Sequence, residues 1–116
     1  MTVKTITLGG KEYAILEAKE YRRLRALARA AEADFPPLPP PDPSGNYPAV
    51  EYARASLARK ILRQRRAAGL TQADLARRAG IRPETLNRIE RGKATPGAAT
   101  VLKIMRAIEQ AEGDAE

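Results

Sequence analysis

The sequence predicts a mainly α protein: a C-terminal bundle of four short helices, preceded by a small β-hairpin with one helix and by a proline-rich linker. Three observations predict it. Alternation of apolar and polar residues, the mark of a strand, is confined to the first sixteen positions. Seven of the nine prolines fall between Asp34 and Pro48, where neither helix nor strand can run on. Beyond Tyr52, apolar residues recur at helical spacing in stretches punctuated by Gly69, Gly80 and Gly92.

The hairpin starts near Val3. Lys4 to Leu8 alternates, Gly9-Gly10 follows, and Lys11 to Leu16 alternates again. Two such runs joined by Gly-Gly predict a type I′ turn, which needs positive φ twice. Pairing Leu8 with Lys11 sets Ile6 opposite Tyr13 and puts Ile6, Leu8, Tyr13 and Ile15 on one face. Tyr21, Leu24, Leu27, Ala28 and Ala31 then recur at helical spacing. One hairpin and one helix, residues 1–33, bury too little surface to stand alone. This unit is expected to need a second copy or a partner.

Residues 34–49 form the proline-rich linker. Its natural conformation is polyproline II. Two readings stand side by side: a semi-rigid spacer, or a docking strip with Phe35, Leu38 and Tyr47 as apolar anchors.

Residues 50–110 carry the four helices. The first, Tyr52 to Ala67, turns Leu57, Ala58, Ile61 and Leu62 inward, and Gly69 closes it. Thr71 is a good N-cap for the second, with Asp74 three positions on. Leu75, Ala76 and Ala79 are its inner face. Pro83 suits the first turn of the third helix, which Gly92 ends. The fourth, about Ala98 to Gln110, shows Val101, Leu102, Ile104, Met105 and Ile108. Residues 111–116 read as an acidic tail without apolar anchors.

Composition excludes whole classes of chemistry. The 116 residues include no cysteine and no histidine, which removes thiolate zinc sites, cysteine nucleophiles and imidazole mechanisms. With no phosphate-cradling glycine loop and no clustered carboxylates, no enzyme, cofactor or metal is expected. The start has no apolar signal core and no run spans a membrane, so a soluble cytoplasmic protein is expected. The net charge of +7 is unevenly spread: +3 over 1–33, −2 over 34–49, +10 over 50–108 and −4 beyond. A segment at +10 favours a polyanion. The basic segment's only aromatic is Tyr52, which argues against single-stranded RNA, whose bases are read by stacking.

The stretch Gly69 to Lys93 sets two short helices about three residues apart around Gly80. That is the sequence form of a helix-turn-helix, whose second helix enters the major groove. In the third helix Leu86 and Ile89 point inward, while Glu84, Asn87, Arg88 and Arg91 form an outer polar stripe. Arg88 can donate twice to guanine, Asn87 can pair with adenine, and Glu84 can accept from the cytosine amino group. Arg82 is a poor helix cap, so a phosphate or base contact is its expected use.

The pattern Leu70-Thr71-Gln72, Leu75-Ala76, Ala79-Gly80-Ile81, Thr85-Leu86 and Arg88 to Lys93 resembles the Cro/cI-type helix-turn-helix of the Xre family. The resemblance covers Ser56 to Ile108. It implies base reading by the third helix, here Arg82, Pro83, Glu84, Asn87 and Arg88. Pro83 stands where family members carry a polar base reader, which shifts specificity onto Glu84, Asn87 and Arg88. It also implies phosphate binding by Gln72, with Thr71 at the same helix start, and by Arg91 and Lys93. Its glutamate, here Glu90, pairs with an arginine of the first helix, here Arg65. Family members often add a fifth helix, which the acidic tail here does not supply.

The N-terminal GGKEYAILEAKEYRRL resembles the hairpin-to-helix stretch of prevent-host-death-type antitoxins, through Gly10-Lys11, Ala14, Leu16, Glu20-Tyr21 and Leu24. Joined to an Xre-type domain, it implies an antitoxin of a type II toxin–antitoxin module. Such a protein neutralises a small RelE/ParE-like toxin and represses its own operon. The expected partners are a double-stranded DNA operator, a second copy in a homodimer, and that toxin. The alternative is a stand-alone Xre-type repressor whose N-terminal part only dimerises.

Overall fold

The computed structural model describes residues 4–114; Val3, at the head of the expected hairpin, and Ala115 and Glu116, at the end of the expected tail, lie outside the described residues. The element order is β1 (Lys4–Leu8), β2 (Lys11–Ile15), α1 (Ala18–Ala31), α2 (Ala49–Ala67), α3 (Gln72–Ala79), α4 (Pro83–Glu90) and α5 (Ala98–Asp114). The fold is mainly helical, as the sequence predicts. The chain divides into two compact units, one ending at Asp34 and one starting at Phe35.

In the first unit β1 and β2 pair antiparallel, with Leu8 opposite Lys11 and Ile6 opposite Tyr13. Gly9 and Gly10 both take positive φ, so the turn chemistry fixes the expected register. No described residue of β1, β2 or α1 is buried. Leu8 stays 60% exposed and Leu27 56%.

The second unit holds the core. Ile61 of α2, Leu75, Ala76 and Ala79 of α3, Leu86 and Ile89 of α4, and Ile104, Ala107 and Ile108 of α5 form one buried cluster. The inward faces of α3 and α4 match the spacing reading. Two expectations for α5 are corrected. Leu102 is exposed, because the face that carries Ile104, Ala107, Ile108 and Ala111 turns it to solvent. The helix also does not stop at Gln110. Ala111 continues the buried stripe one turn on, and Asp114 meets Arg78 at 3.1 Å, so the acidic tail is helical through Asp114.

The proline-rich strip belongs to this unit from Phe35 on. Phe35 is buried, and the guanidinium groups of Arg59 and Arg66 lie 5.5 and 4.9 Å from the centre of its ring. Arg59 also donates to the Pro36 carbonyl at 3.2 Å. A Cβ built on Gly92 would meet both Pro36 and Ala55 at 3.7 Å, so Pro36 covers the corner between α2 and the end of α4. The strip then reverses in a turn, where Asp42 Oδ1 accepts from the backbone N–H groups of Ser44 and Asn46. The spacer reading of 34–49 therefore does not hold at Phe35 and Pro36, which cation–π contacts to the ring and the hydrogen bond to the Pro36 carbonyl dock on α2. Of the three expected partner anchors, Phe35 is engaged within the chain, while Leu38 and Tyr47 remain exposed.

The helix-turn-helix itself is built by local signals. Thr71 Oγ1 accepts from the Asp74 N–H, and the Asp74 carboxylate accepts from the Thr71 N–H, a complete capping box. Gly80, at φ 69°, takes the left-handed conformation that ends α3 and lets the chain turn into α4.

The Thr71 hydroxyl, then the Thr71 backbone, hold the Asp74 carboxyl below its ordinary value of 3.8. A carboxyl held low when folded stabilises fully above its unfolded pKa and loses that contribution as pH falls through the lowered value. Asp74→Asn is therefore expected to remove part of the acid sensitivity of folding. Melting curves recorded from neutral pH into the acid range check this; an unchanged acid slope would exclude the capping carboxylate.

Candidate nucleic-acid interface

The second helix of the motif, α4, is fixed by burial on one side and bare on the other. Leu86 and Ile89 are its hydrophobic anchors, and Glu90 is buried beside them. Arg82, Pro83, Glu84 and Arg88 are exposed, and Asn87 is half-buried. Pro83, Glu84, Asn87 and Arg88 line one open groove together with Gln72 from the start of α3. The structure thus brings four of the five expected base readers to one place. Arg82 precedes them at the N-cap of α4, in extended conformation and without a side-chain capping bond.

The expected phosphate binders stand at the start of α3 and at the end of α4, and of the four only Gln72 lines the groove. Thr71 caps α3, and its hydroxyl is engaged with Asp74, accepting from the backbone N–H and holding the carboxyl low. Gln72 follows at the first position of α3, where backbone N–H groups lack intrahelical partners and the helix dipole favours an anion. Arg91 and Lys93 flank Gly92 just past the C-terminal end of α4, both exposed.

Under this surface lies one buried carboxylate. Glu90 is 3% exposed and Arg65 13%. Arg65 Nε donates to Glu90 Oε2 at 2.7 Å and a second guanidinium nitrogen to Oε1 at 3.1 Å. The same arginine donates to the Leu70 carbonyl at 2.9 Å. The planar fork of arginine suits this bidentate contact, which ties α2 to α4. Sequence reasoning missed what completes the site. Gln72 Nε2 donates to Glu90 Oε1 at 2.9 Å, and Asn87 Nδ2 donates to Gln72 Oε1 at 3.4 Å. No periodicity or spacing signals a contact between a residue at the start of α3 and one at the end of α4. Among the described residues, no buried side-chain nitrogen or oxygen lacks a partner.

Removing one member of a buried ion pair leaves the other charge uncompensated, at a cost of ~3–5 kcal/mol. Arg65→Ala should lose that much stability in urea titration. Arg65→Met combined with Glu90→Leu should lose less than the single change, since a matched apolar pair strands no charge. A double variant as unstable as the sum of its singles would contradict the pairing.

Residues 60–110 match the model of a helix-turn-helix family of the Xre/Cro/cI type. No curated protein and no solved structure matches the chain. Among the described residues no helix is long and apolar enough to cross a membrane. The match spans the capped α3, the Gly80 turn and the anchored α4 described above, so the chain carries a helix-turn-helix domain and is a DNA-binding transcriptional regulator.

Proposed function

We propose that the protein is a sequence-specific repressor that binds its operator as a homodimer and serves as the antitoxin to a small RelE/ParE-like toxin. The observation that carries the DNA half is the groove of Gln72, Pro83, Glu84, Asn87 and Arg88 on the outer face of α4. Arg82, Pro83, Glu84, Asn87 and Arg88 face base edges in this reading. Thr71, Gln72, Arg91 and Lys93 hold the phosphates on either side, and Arg65 with Glu90 keeps the frame. One helix of eight residues reads a few base pairs, and a symmetric dimer doubles that reading.

The partner half rests on the hairpin and α1, a unit with an apolar face and no described buried residue. Segments that cannot bury enough apolar surface alone are completed by association. Because Phe35 is engaged within the chain, this reading places partner contact on the hairpin–helix face, with Leu38 and Tyr47 as the strip's remaining anchors. The second reading, a stand-alone repressor whose N-terminal part only dimerises, draws on the same exposed face.

Two sets of measurements test these readings. Arg88→Ala should weaken operator binding by ~1–3 kcal/mol and relax preference at one base pair, whereas Lys93→Ala should weaken all sequences alike. Lys93→Ala should also reduce the slope of log affinity against log salt by ~0.9. Uniform weakening by Arg88→Ala would demote it to a phosphate contact, and an unchanged slope would remove Lys93 from the interface. For the partner half, Leu8→Asp with Leu24→Asp should turn a sedimenting dimer into a monomer. In cells expressing a toxin-like neighbouring reading frame, Arg88→Ala should still restore growth and the double variant should not. Absence of rescue by the unaltered protein would leave the stand-alone repressor.

A further inference from the structure

We infer that Gln72 is a positioning residue that fixes which way the Asn87 amide faces, so that the buried carboxylate of Glu90 sets the base preference at one operator position. The inference rests on the reading above that Asn87 meets a base edge.

The argument follows the donors and acceptors outward from the core. The Glu90 carboxylate, held by Arg65 at 2.7 Å, can only accept. Gln72 approaches the same carboxylate at 2.9 Å, so the atom it presents must be its amide nitrogen. An amide has one nitrogen and one oxygen, and committing the nitrogen inward leaves Oε1 directed away from Glu90. That oxygen lies 3.4 Å from the Asn87 amide. Oε1 also only accepts, so Asn87 must turn its nitrogen toward Gln72. The orientation of both amides, free in an isolated side chain, is dictated here by one charge.

Asn87 is then left with Oδ1 as an acceptor and one N–H unused. This pair matches adenine, which offers the N6 amino donor and the N7 acceptor in the major groove. Guanine offers two acceptors there, N7 and O6, and an outward Oδ1 would meet O6 with a lone pair against a lone pair. A released Asn87 can rotate its amide and present N–H groups to guanine instead. Holding the amide therefore adds discrimination of adenine against guanine without adding a contact to DNA. Pro83, which lines the same groove with neither donor nor acceptor in its side chain, cannot compensate for a loosened Asn87.

The experiment uses the full-length protein and an operator selected by it from a random-sequence DNA pool. Mobility-shift titrations against every single-base variant of that operator compare the unaltered protein with Gln72→Ala, Gln72→Met, Asn87→Ala and the Gln72→Ala/Asn87→Ala double variant. Gln72→Met keeps the side chain's length and apolar packing and removes both hydrogen bonds. Both Gln72 variants are expected to lower the preference for adenine over guanine by roughly five- to tenfold, at the base pair that Asn87→Ala affects. The double variant should discriminate there no worse than Asn87→Ala alone. The inference is overturned if Gln72→Met weakens all sequences equally, because Gln72 would then act on phosphate only, or if the two losses add, because Gln72 would then read the base independently of Asn87. A base preference unchanged by Asn87→Ala would overturn the base reading itself, and the two failures are thereby told apart. Urea midpoints of all variants confirm that each profile belongs to folded protein.

Discussion

One buried carboxylate organises the DNA-binding unit. Glu90 collects a guanidinium from α2 and an amide from α3 while standing on α4 itself. Three helices of the bundle thus meet at a group that hydrophobic packing alone would exclude. Burying a charge is costly unless every lone pair finds a donor, and here the donors come from elements that must all be in place. Leu75, Leu86 and Ile89 supply the burial that drives the bundle together. Apolar contacts, however, are non-directional and tolerate sliding. The fork of Arg65 has one geometry, so it selects the register in which the outer face of α4 is aimed outward.

The two units solve the same problem in opposite ways. The second unit gathers one aliphatic cluster from four helices and closes the start of α3 with a capping box. The first shows a cleanly patterned hairpin and an amphipathic helix, yet it leaves Leu8, Tyr21 and Leu27 more than half exposed. Its turn and register are fixed locally by Gly9-Gly10, and local fixing is enough to shape a hairpin but not to stabilise one. An apolar face that is well patterned and uncovered is a surface awaiting association.

How far the sequence reaches depends on whether the cause is local. The hairpin register, the Thr71–Asp74 box, the Gly80 turn and the inner faces of α3 and α4 are all set by residues within a few positions of each other, and all were legible. The Arg65–Glu90 contact spans twenty-five positions; only the family resemblance suggested it. The missed features are those decided by distant neighbours. Leu102 looks apolar enough for the core, but the alanines at 107 and 111 set the phase of α5. Phe35 reads as a loose anchor until Arg59 and Arg66, a turn and more along α2, close on its ring. Gln72 reads as a plain phosphate contact until its amide is found between Glu90 and Asn87. In the site, the types of residue were legible and the bonds that orient them were not.

The charge of the basic segment shows the same distinction between amount and placement. Its excess of +10 favours a polyanion, yet much of it is committed within the fold. Arg65 is held by Glu90, Arg54 bonds the Thr95 hydroxyl, Arg77 and Arg78 pair with Asp74 and Asp114, and Arg59 and Arg66 cover Phe35. The arginines that remain outward near the motif are Arg82 and Arg88 at the groove and Arg91 at the end of α4, joined by Lys93. They bracket a single eight-residue helix. A diffuse positive surface would attract DNA in many orientations. Cations placed at the two ends of α4, with many of the other arginines engaged within the fold, favour one orientation, in which that helix lies against the groove. The ion pairs and the Phe35 stack therefore serve recognition as well as stability, because every arginine they occupy is one fewer competing site for phosphate.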